Sequence, residues 1–288
     1  MNEHPDAALL HRIERFLDAV PRDQGRVEPY GPLTLFVQNS SSIPLYGRPT
    51  LGATEVPTVA DVEAVRARQR ALGVPEALEW MHEICPGLLA VAEAADLSVQ
   101  RVPLMVLDPA RLPAASGPDE EQVRVLHPDS PDFAVGLGLF RAVATVGFST
   151  GGTATGQEGP AARDAAYAPI PDAEAMRARV REGRAAYALA GEGPDGVLAG
   201  GAYQRAGDVA EIVGVATLPA ARRRGLGAAV TAALARWALA DGVGLVILSA
   251  GSEDIARIYG RLGFRQVGTS CIACPKPAGA DADADTKE

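Results

Sequence analysis

The stretch EIVGVATLPAARRRGLG, residues 211–227, decides the fold of the second half of the chain. Its first seven residues are strand-like, and Leu218 and Pro219 then lead into Arg-Arg-Arg-Gly-Leu-Gly at residues 222–227. Residues 227–241 have the apolar spacing of a helix rich in Ala and Leu. A strand that passes into a helix through glycines leaves several backbone N–H groups unpaired at the helix start, and such groups bind anions. The stretch therefore predicts a pyrophosphate-binding turn.

The residue types in this turn suit a phosphate and exclude two other phosphate-binding motifs. Gly225 and Gly227 let the backbone approach a phosphate without an intervening side chain, and the arginines at 222–224 add positive charge. The turn lacks the lysine and hydroxyl of a P-loop. Val230 occupies the place of the third glycine of GxGxxG, and the preceding strands are predicted to be antiparallel, which excludes a dinucleotide-binding βαβ unit.

The segments around this turn predict an α/β domain. Apolar runs separated by short Gly, Asp and Pro turns are typical of an antiparallel meander, and segments with helical apolar spacing stand on either side of it. The predicted strands are residues 122–126, 185–191, 196–205, 209–218, 245–250 and 265–273, and the predicted helices are residues 133–148, 172–183, 227–241 and 252–262. We therefore expect a mixed, mainly antiparallel sheet flanked by helices.

The first half of the chain predicts a similar order of elements. Thr58 has the residue type of a helix N-cap, and Asp61 stands three residues later, close to a capping box. The predicted helices are residues 8–20, 58–72 and 86–95, and the predicted strands are residues 33–38, 50–56, 77–81 and 99–107. From residue 50 this order repeats that of residues 209–273, which suggests a degenerate first copy of the same architecture.

Composition indicates two segments that lie outside the folded domains. Residues 108–119 are rich in Pro, Ala, Ser and Gly, as in a linker, and a polar acidic segment follows Lys276. We expect a degenerate first domain at residues 1–112, a linker at 113–121, a second domain at 122–276 and a disordered acidic tail at 277–288.

Charge and cysteine content limit the partners. The net charge of −9 argues against a nucleic-acid surface. The chain has no run of eighteen apolar residues, and its start has neither the basic nor the apolar region of a signal peptide, so we expect a cytoplasmic protein without a membrane partner.

Cys271 and Cys274 have CxxC spacing without a second pair or a nearby histidine. They are interpreted as two residues of a late strand, with a redox pair as the alternative, and no metal site is predicted.

The second half of the chain resembles the GCN5-related N-acetyltransferase (GNAT) superfamily. The matching residues are the R-x-x-G-x-G turn at residues 222–227 and the helix end ARIYGRLGF at residues 256–264, with Tyr259 followed by Gly263 and Phe264. The resemblance covers residues 122–273. It implies an acyl-CoA N-acyltransferase fold and acetyl-CoA as co-substrate.

The resemblance also implies the residues that hold the cofactor. Backbone N–H groups from Arg223 to Ala228 would bind the pyrophosphate. The end of the preceding strand would pair with the pantetheine arm, and the strands on either side of the cofactor would splay apart to admit it. Ser252 stands where family members commonly have Asn, so its contact with the pantetheine is expected to be weaker. The implied cofactor residues are Val215, Ala216, Thr217, Arg222, Arg223, Arg224, Gly225, Leu226, Gly227, Ala228 and Ser252.

Two side chains are candidates for the proton transfers of amine acylation. The resemblance places Tyr259 near the cofactor sulfur as general acid, with a core aromatic as the alternative. Glu211, eleven residues before Arg222, has the spacing of the general base in some members, including histone acetyltransferases. The alternatives for Glu211 are a strand residue that faces solvent or pairs with an arginine, and a base formed by a water relay. The backbone N–H of Val215 is a candidate donor to the oxyanion.

These features predict an enzyme that moves an acetyl group from acetyl-CoA to the amine of a small metabolite or amino-acid-like substrate by direct attack. The acceptor cleft is expected at residues 140–172, with Tyr167 and Phe148 as lining. Acylation of a peptide or protein, a non-catalytic acyl-CoA sensor, and an interaction protein with a vestigial cleft remain alternatives. A second CoA site in the first half is not expected, because it has no R-x-x-G-x-G. The first half of the chain could instead shape the acceptor cleft, select the substrate or form the contact between subunits of a homodimer.

Overall fold

A computed structural model of the 288-residue chain describes residues 5–38, 46–114, 123–191 and 193–276. The chain divides into two compact units, one of residues 1–102 and 268–288 and one of residues 103–267. Most of the predicted linker and the whole predicted tail lie outside the described residues. The domain boundaries at 112 and 122 stay predictions.

Among the residues that the structure describes, the first unit contains three helices and several paired strands. Its helices are α1 (Ala7–Gln24), α2 (Val59–Leu72) and α3 (Leu88–Ala94), and its strands are β1 (Gly25–Tyr30), β2 (Leu33–Gln38), β3 (Gly47–Pro49), β4 (Leu78–Met81) and the first part of β5 (Leu97–Leu107). β1, β2 and β3 pair antiparallel in sequence order, β3 pairs parallel with β4, and β4 pairs antiparallel with the end of β11 (Phe264–Pro275). From β2 onward, the order strand, strand, helix, parallel strand, helix, strand is that of the second unit.

Local signals account for most elements of the first unit; the exceptions are β1, the three-residue strand β3 and the turn that follows β3. The capping box at Thr58 is confirmed, since the Asp61 N–H donates to Thr58 Oγ1 at 3.3 Å and the Thr58 N–H donates to Asp61 Oδ2 at 2.8 Å. The predicted strand at residues 50–56 is wrong, because the Ala53 N–H donates to the Thr50 carbonyl at 2.9 Å and closes a turn. β1 was missed because its sequence GRVEPY is polar and contains proline, a composition that only an edge strand tolerates.

The second unit is an α/β domain with the expected mixed, mainly antiparallel sheet. Its strands are the end of β5, β6 (Val123–Val125), β7 (Ala185–Ala190), β8 (Ala199–Ala206), β9 (Val209–Thr217) and β10 (Leu245–Ser249), followed by the start of β11. Its helices are α4 (Phe133–Ser149), α5 (Pro160–Ala166), α6 (Ala173–Arg181), α7 (Leu226–Ala240) and α8 (Glu253–Arg261). The predicted meander is confirmed, since β6 to β9 pair antiparallel in sequence order. The short helix α5 was not among the predicted helices.

Helices α4 and α7 cover opposite faces of this sheet. A Cβ at Gly200 of β8 would lie 3.2 Å from Phe140 of α4, whereas a Cβ at the next residue, Gly201, would lie 2.8 Å from Val230 of α7. Successive residues of a strand point to opposite faces. The two glycines therefore allow a helix to approach each face closely, and they mark an α4 face and an α7 face.

The free cysteines fit the strand interpretation better than a redox pair. Cys271 is buried and Cys274 is exposed, and both lie on β11. Three residues along a strand span roughly 10 Å, which exceeds the Cα separation that a disulfide bridges. In the part of the chain that the structure describes, no helix is both long and apolar enough to cross a membrane, and no cluster of three potential metal ligands occurs.

Candidate functional site

The turn between β9 and α7 leaves backbone donors open at a helix start. A short 3₁₀ segment, Pro219–Ala221, leads into the turn, and α7 begins at Leu226 with Gly225 as N-cap in the left-handed region at φ +82°. No side chain of the described residues caps this helix start. The first backbone hydrogen bond of the helix runs from Ala229 N–H to the Gly225 carbonyl at 2.9 Å. The N–H groups of the first turn therefore lack helical partners and lie at the positive end of the helix dipole.

Arg222 anchors the turn to the end of α4. Its guanidinium donates to the carbonyls of Gly147 at 2.6 Å, Thr150 at 2.8 Å and Ala154 at 3.0 Å. These are carbonyls at and just beyond the helix C-terminus, where a cation is favoured. The positive charge exposed at the turn thus comes from Arg223 and Arg224, whose side chains face solvent.

The first turn of α7 lies over the last residues of β9. A Cβ at Gly227 would lie 3.4 Å from Thr217 Oγ1 and 3.8 Å from Val215 Cγ1. The structure therefore brings together the two segments that the sequence assigned separately to the pyrophosphate and to the pantetheine arm.

A bulge interrupts β9 next to this contact. Gly200 pairs with Ala216 and Ala202 pairs with Val213, so Gly214 and Val215 together stand opposite Gly201. Gly214 has φ +65°, a conformation that suits glycine. A bulge leaves one residue of the strand out of the ladder, and so it frees a backbone group at the position of the predicted oxyanion donor.

β9 and β10 pair over a short distance only. Their parallel register joins Leu245 to Val209, Val246 to Ala210 and Ile247 to Glu211. β9 continues to Thr217, so its last six residues extend past this register. The bulge and the open end of β9 are therefore on the part of the strand where a ligand could lie between the two strands.

Tyr259 is tied to the first turns of α7. The phenol is hydrogen-bonded to the Thr231 side chain, and Thr231 Oγ1 in turn donates to the Gly227 carbonyl at 2.9 Å. Burial raises the pKa of Tyr259 to about 12, an effect that the bond to Thr231 partly offsets. The phenol therefore keeps its proton at neutral pH and can donate it in a hydrogen bond. Its ring also packs 6.1 Å from that of Phe264, so the packing and proton-donor interpretations of Tyr259 are compatible.

Ser252 caps helix α8. Its Oγ accepts a hydrogen bond from the Ile255 N–H at 3.3 Å. This bond accounts for a hydroxyl at the position, because serine is a favoured N-cap residue. The contact of Ser252 with a pantetheine arm stays a prediction.

Glu211 lies on the α4 face, away from the α7 turn. Gln204 Nε2 donates to Glu211 Oε2 at 3.0 Å, and the two residues are directly opposite in the β8–β9 ladder. Gln204 shares the face of Gly200, four residues before it, so Glu211 points to the α4 side while Val215 contacts Gly201 on the α7 side. A group bound between β9 and β10 could therefore be approached by Glu211 from one face and held by α7 from the other.

The predicted acceptor segment also borders the α4 face. The ring of Phe140 lies against Gly200 and Gly214, and the ring of Tyr167 lies against Gly138 of α4. Phe148 is 62% exposed, so it is available on the surface near the end of α4.

The equivalent helix start in the first unit is closed. At α2 both the Thr58 hydroxyl and the Asp61 carboxylate are used as caps, and these bonds lower the pKa of Asp61. A carboxylate at this place repels an anion that an uncapped helix start would attract. Of the two helix starts, α7 has the properties of an anion site and α2 does not.

Residues 160–264 match the model of the Acetyltransferase (GNAT) family. Residues 160–264 form a GNAT domain. The matched segment contains the α7 turn, the bulged strand and the helix with Tyr259. A search of curated protein sequences found no match.

Solved structures share the fold over nearly the whole chain. A GCN5-related N-acetyltransferase from Kribbella flavida is 24% identical with a TM-score of 0.64, and the match covers 95% of this chain and 98% of that one. One from Sphaerobacter thermophilus is 15% identical with a TM-score of 0.55, covering 85% and 78% of the two chains. A GCN5-related N-acetyltransferase-like protein from Streptococcus suis is 13% identical with a TM-score of 0.54, covering 94% and 99%. At these identities the comparison shows the fold of the chain, including that of its first half.

Sequence reasoning missed two residues of the GNAT domain that hold others in place. Thr231 is fully buried, four residues after Gly227, in a helix whose other residues apart from Arg236 are apolar or glycine. A lone hydroxyl at that spacing was a signal for a bond to a carbonyl one turn earlier. Gln204 gave no local signal, because its pairing with Glu211 depends on the register of two strands.

Proposed function

We propose that the GNAT domain transfers an acetyl group from acetyl-CoA to the amine of a small metabolite or amino-acid-like acceptor. Domains of this family bind acyl-CoA, and family membership supports acyl transfer. The observation that carries the proposal is the uncapped start of α7, which lies over Val215 and Thr217 and is connected through Thr231 to Tyr259.

The chain's own groups suit the binding of acetyl-CoA. The pyrophosphate would be held by backbone N–H groups from Arg223 to Ala228, with Arg223 and Arg224 supplying charge and Arg222 holding the turn. Residues 215–217 at the open end of β9 would pair with the pantetheine arm. When bound, acetyl-CoA supplies the thioester whose C–S bond breaks as the new amide bond forms.

The residues on the two faces of the sheet would divide the proton transfers between them. Glu211, oriented by Gln204, would take the proton from the acceptor ammonium, directly or through water. The Val215 N–H beside the bulge would donate to the carbonyl oxygen as charge builds on it. The Tyr259 hydroxyl would donate to the departing sulfur, and its raised pKa keeps that proton in place until then.

The test is release of CoA thiol from acetyl-CoA in the presence of a panel of amines, with a peptide amine included. Amine-dependent thiol release supports the proposal. Thiol release with the peptide alone favours peptide acylation. Binding of acetyl-CoA without transfer to any amine favours a sensor, and absence of both favours an interaction protein. We further propose that the protein is cytoplasmic and that its partners are small molecules; the net charge of −9 does not favour a nucleic acid as partner.

A further inference from the structure

The loop that connects α4 to α5 has no helix or strand of its own. This acceptor loop, residues 150–159, belongs to the predicted acceptor segment, and most of its side chains are exposed. Four of its ten residues are glycines, which leave the backbone many conformations. The position of the acceptor loop therefore depends on the bonds that it makes to other elements.

The backbone bonds in the middle of the acceptor loop run to the connection between β9 and α7. The Gly156 N–H donates to the Pro219 carbonyl at 3.1 Å. The Ala220 N–H donates in the opposite direction, to the Glu158 carbonyl, at 3.0 Å. A Cβ at Gly156 would lie only 2.8 Å from Pro219 Cβ, so glycine allows this close approach. The middle of the loop thus lies directly on the residues that lead into the α7 turn.

Arg222 holds the start of the acceptor loop to the same connection. Its Nη2 donates to the Gly147 carbonyl at 2.6 Å and to the Thr150 carbonyl at 2.8 Å. Its Nη1 donates to the Ala154 carbonyl at 3.0 Å. Both terminal nitrogens of the guanidinium are therefore committed to carbonyls of the acceptor segment.

The acceptor loop lies in the chain between two aromatic residues of the predicted acceptor segment. Phe140 of α4 lies against Gly214 at the bulge, and Tyr167, which follows α5, lies against Gly138. Because the loop connects α4 to α5, its position helps to fix where α5 begins relative to α4. An acceptor bound on this face is therefore sensitive to the position of the loop.

We infer that Arg222 is a positioning residue for the acyl acceptor and not a ligand of the CoA pyrophosphate. The inference rests on the proposed function and adds to it a side chain that acts on the acceptor through the loop. Loss of Arg222 releases the start of the acceptor loop, and a displaced loop presents the acceptor less well to the thioester. The pyrophosphate keeps the backbone N–H groups of the turn and the exposed charges of Arg223 and Arg224.

Two substitutions of Arg222 separate this role from that of a charge beside the phosphate. Lysine keeps the charge but replaces the planar guanidinium by a single ammonium, which cannot bond the three carbonyls in the same way, and glutamine removes the charge. Arg222→Lys and Arg222→Gln should both lower kcat/KM for the amine at saturating acetyl-CoA by about tenfold or more. Both should keep the Kd for acetyl-CoA within about threefold of the wild type. A phosphate ligand would instead be replaced by lysine without loss, and glutamine would weaken acetyl-CoA binding.

Two further arginines provide the controls. Arg224 is exposed on the same turn, so Arg224→Gln should raise the Kd for acetyl-CoA and leave the acceptor loop in place. Arg236 lies on α7 and donates to the Pro113 carbonyl at 3.1 Å. Arg236→Gln therefore removes an arginine–carbonyl bond away from the loop, and it should change neither the amine kcat/KM nor the Kd for acetyl-CoA.

Hydrogen exchange followed by mass spectrometry reports on the acceptor loop without an amine. The Gly156 and Ala220 N–H groups are protected by the bonds that hold the loop to the connection. Arg222→Gln should raise the exchange rate in peptides that cover these two residues by about tenfold or more, because it removes the neighbouring charged donor. Arg236→Gln should leave the rate unchanged.

These measurements separate failure of the inference from failure of the proposed function. A fall in amine kcat/KM in both Arg222 variants, with acetyl-CoA affinity retained, supports the inference. Loss of acetyl-CoA affinity in Arg222→Gln alone overturns it, as does an unchanged amine kcat/KM, and both results leave the proposed function standing. If no amine reacts with the wild type, the proposed transfer fails and exchange decides: faster exchange in Arg222→Gln supports positioning of the loop by Arg222, and unchanged exchange overturns it.

Discussion

Substitution of Gly225 separates the backbone requirement of the α7 turn from its role as an anion site. Gly225 is the N-cap of α7 and has φ +82°. Alanine at this position adds a Cβ in the left-handed region, and glutamate adds the same strain together with a negative charge. Gly73 is the matched control, because it ends α2 at φ +67° and a Cβ there would meet nothing within 4 Å.

The expected magnitudes follow from the geometry. A Cβ in the left-handed region costs about 1–2 kcal/mol, which corresponds to a Tm lower by about 2–8 °C for a domain of this size. Gly225→Ala and Gly73→Ala should both show this loss. A carboxylate about 4 Å from a phosphate charge costs roughly 1 kcal/mol in water and roughly 4 kcal/mol at the dielectric of a protein surface. Gly225→Glu should therefore raise the Kd for CoA by about fivefold to about a thousandfold.

Thermal unfolding and calorimetric titration with CoA measure the two effects on the same samples. Gly225→Glu should lose affinity, whereas Gly73→Glu should lose stability and bind CoA as the wild type does. Unchanged affinity in Gly225→Glu would refute the assignment of the pyrophosphate to the start of α7. An equal loss of affinity in both variants would also refute it, because the loss would then come from instability.

Three further predictions concern the titratable groups. Tyr259→Phe should lower kcat by tenfold or more, against a general-acid contribution on the order of 10²–10⁴, with the Kd for acetyl-CoA unchanged; a wild-type kcat would leave Tyr259 a packing residue. Burial raises the pKa values of Tyr259 and Tyr203 to about 12, so above about pH 10 the folded state keeps protons that the unfolded state loses. Denaturant titrations should therefore show a free energy of unfolding that is constant below pH 10 and falls between pH 10 and 12 by on the order of 2–3 kcal/mol per phenol. A flat profile would contradict the burial of both rings. Glu211→Gln should remove the acid limb of the pH–rate profile of kcat/KM, and an unaltered profile would exclude Glu211 as the base.

The sequence predicted the elements whose signals are local. The glycines at 225 and 227 follow a strand-like run directly, and the Thr58 capping box lies within four residues, so both were readable without knowledge of the tertiary fold. The family match at residues 160–264 agrees with the resemblance drawn from the turn and from the Tyr259 segment.

The remaining features depend on contacts between distant residues. Arg222 was expected to add charge for a ligand, but its guanidinium bonds to Thr150, 72 positions earlier, and no local pattern indicates that partner. The bulge at Gly214 appears only once β8 and β9 are placed in register. The same register decides that Glu211 faces α4 rather than α7, which the distance from Arg222 along the chain does not show.

Calorimetric titration of the intact protein with acetyl-CoA, counting sites per chain, tests the central claim most directly. The uncapped start of α7 and the self-capped start of α2 predict one site per chain. Two sites would contradict the assignment of a closed anion site to the first unit. No binding would contradict the acyl-CoA site itself and, with it, the proposed acetyl transfer.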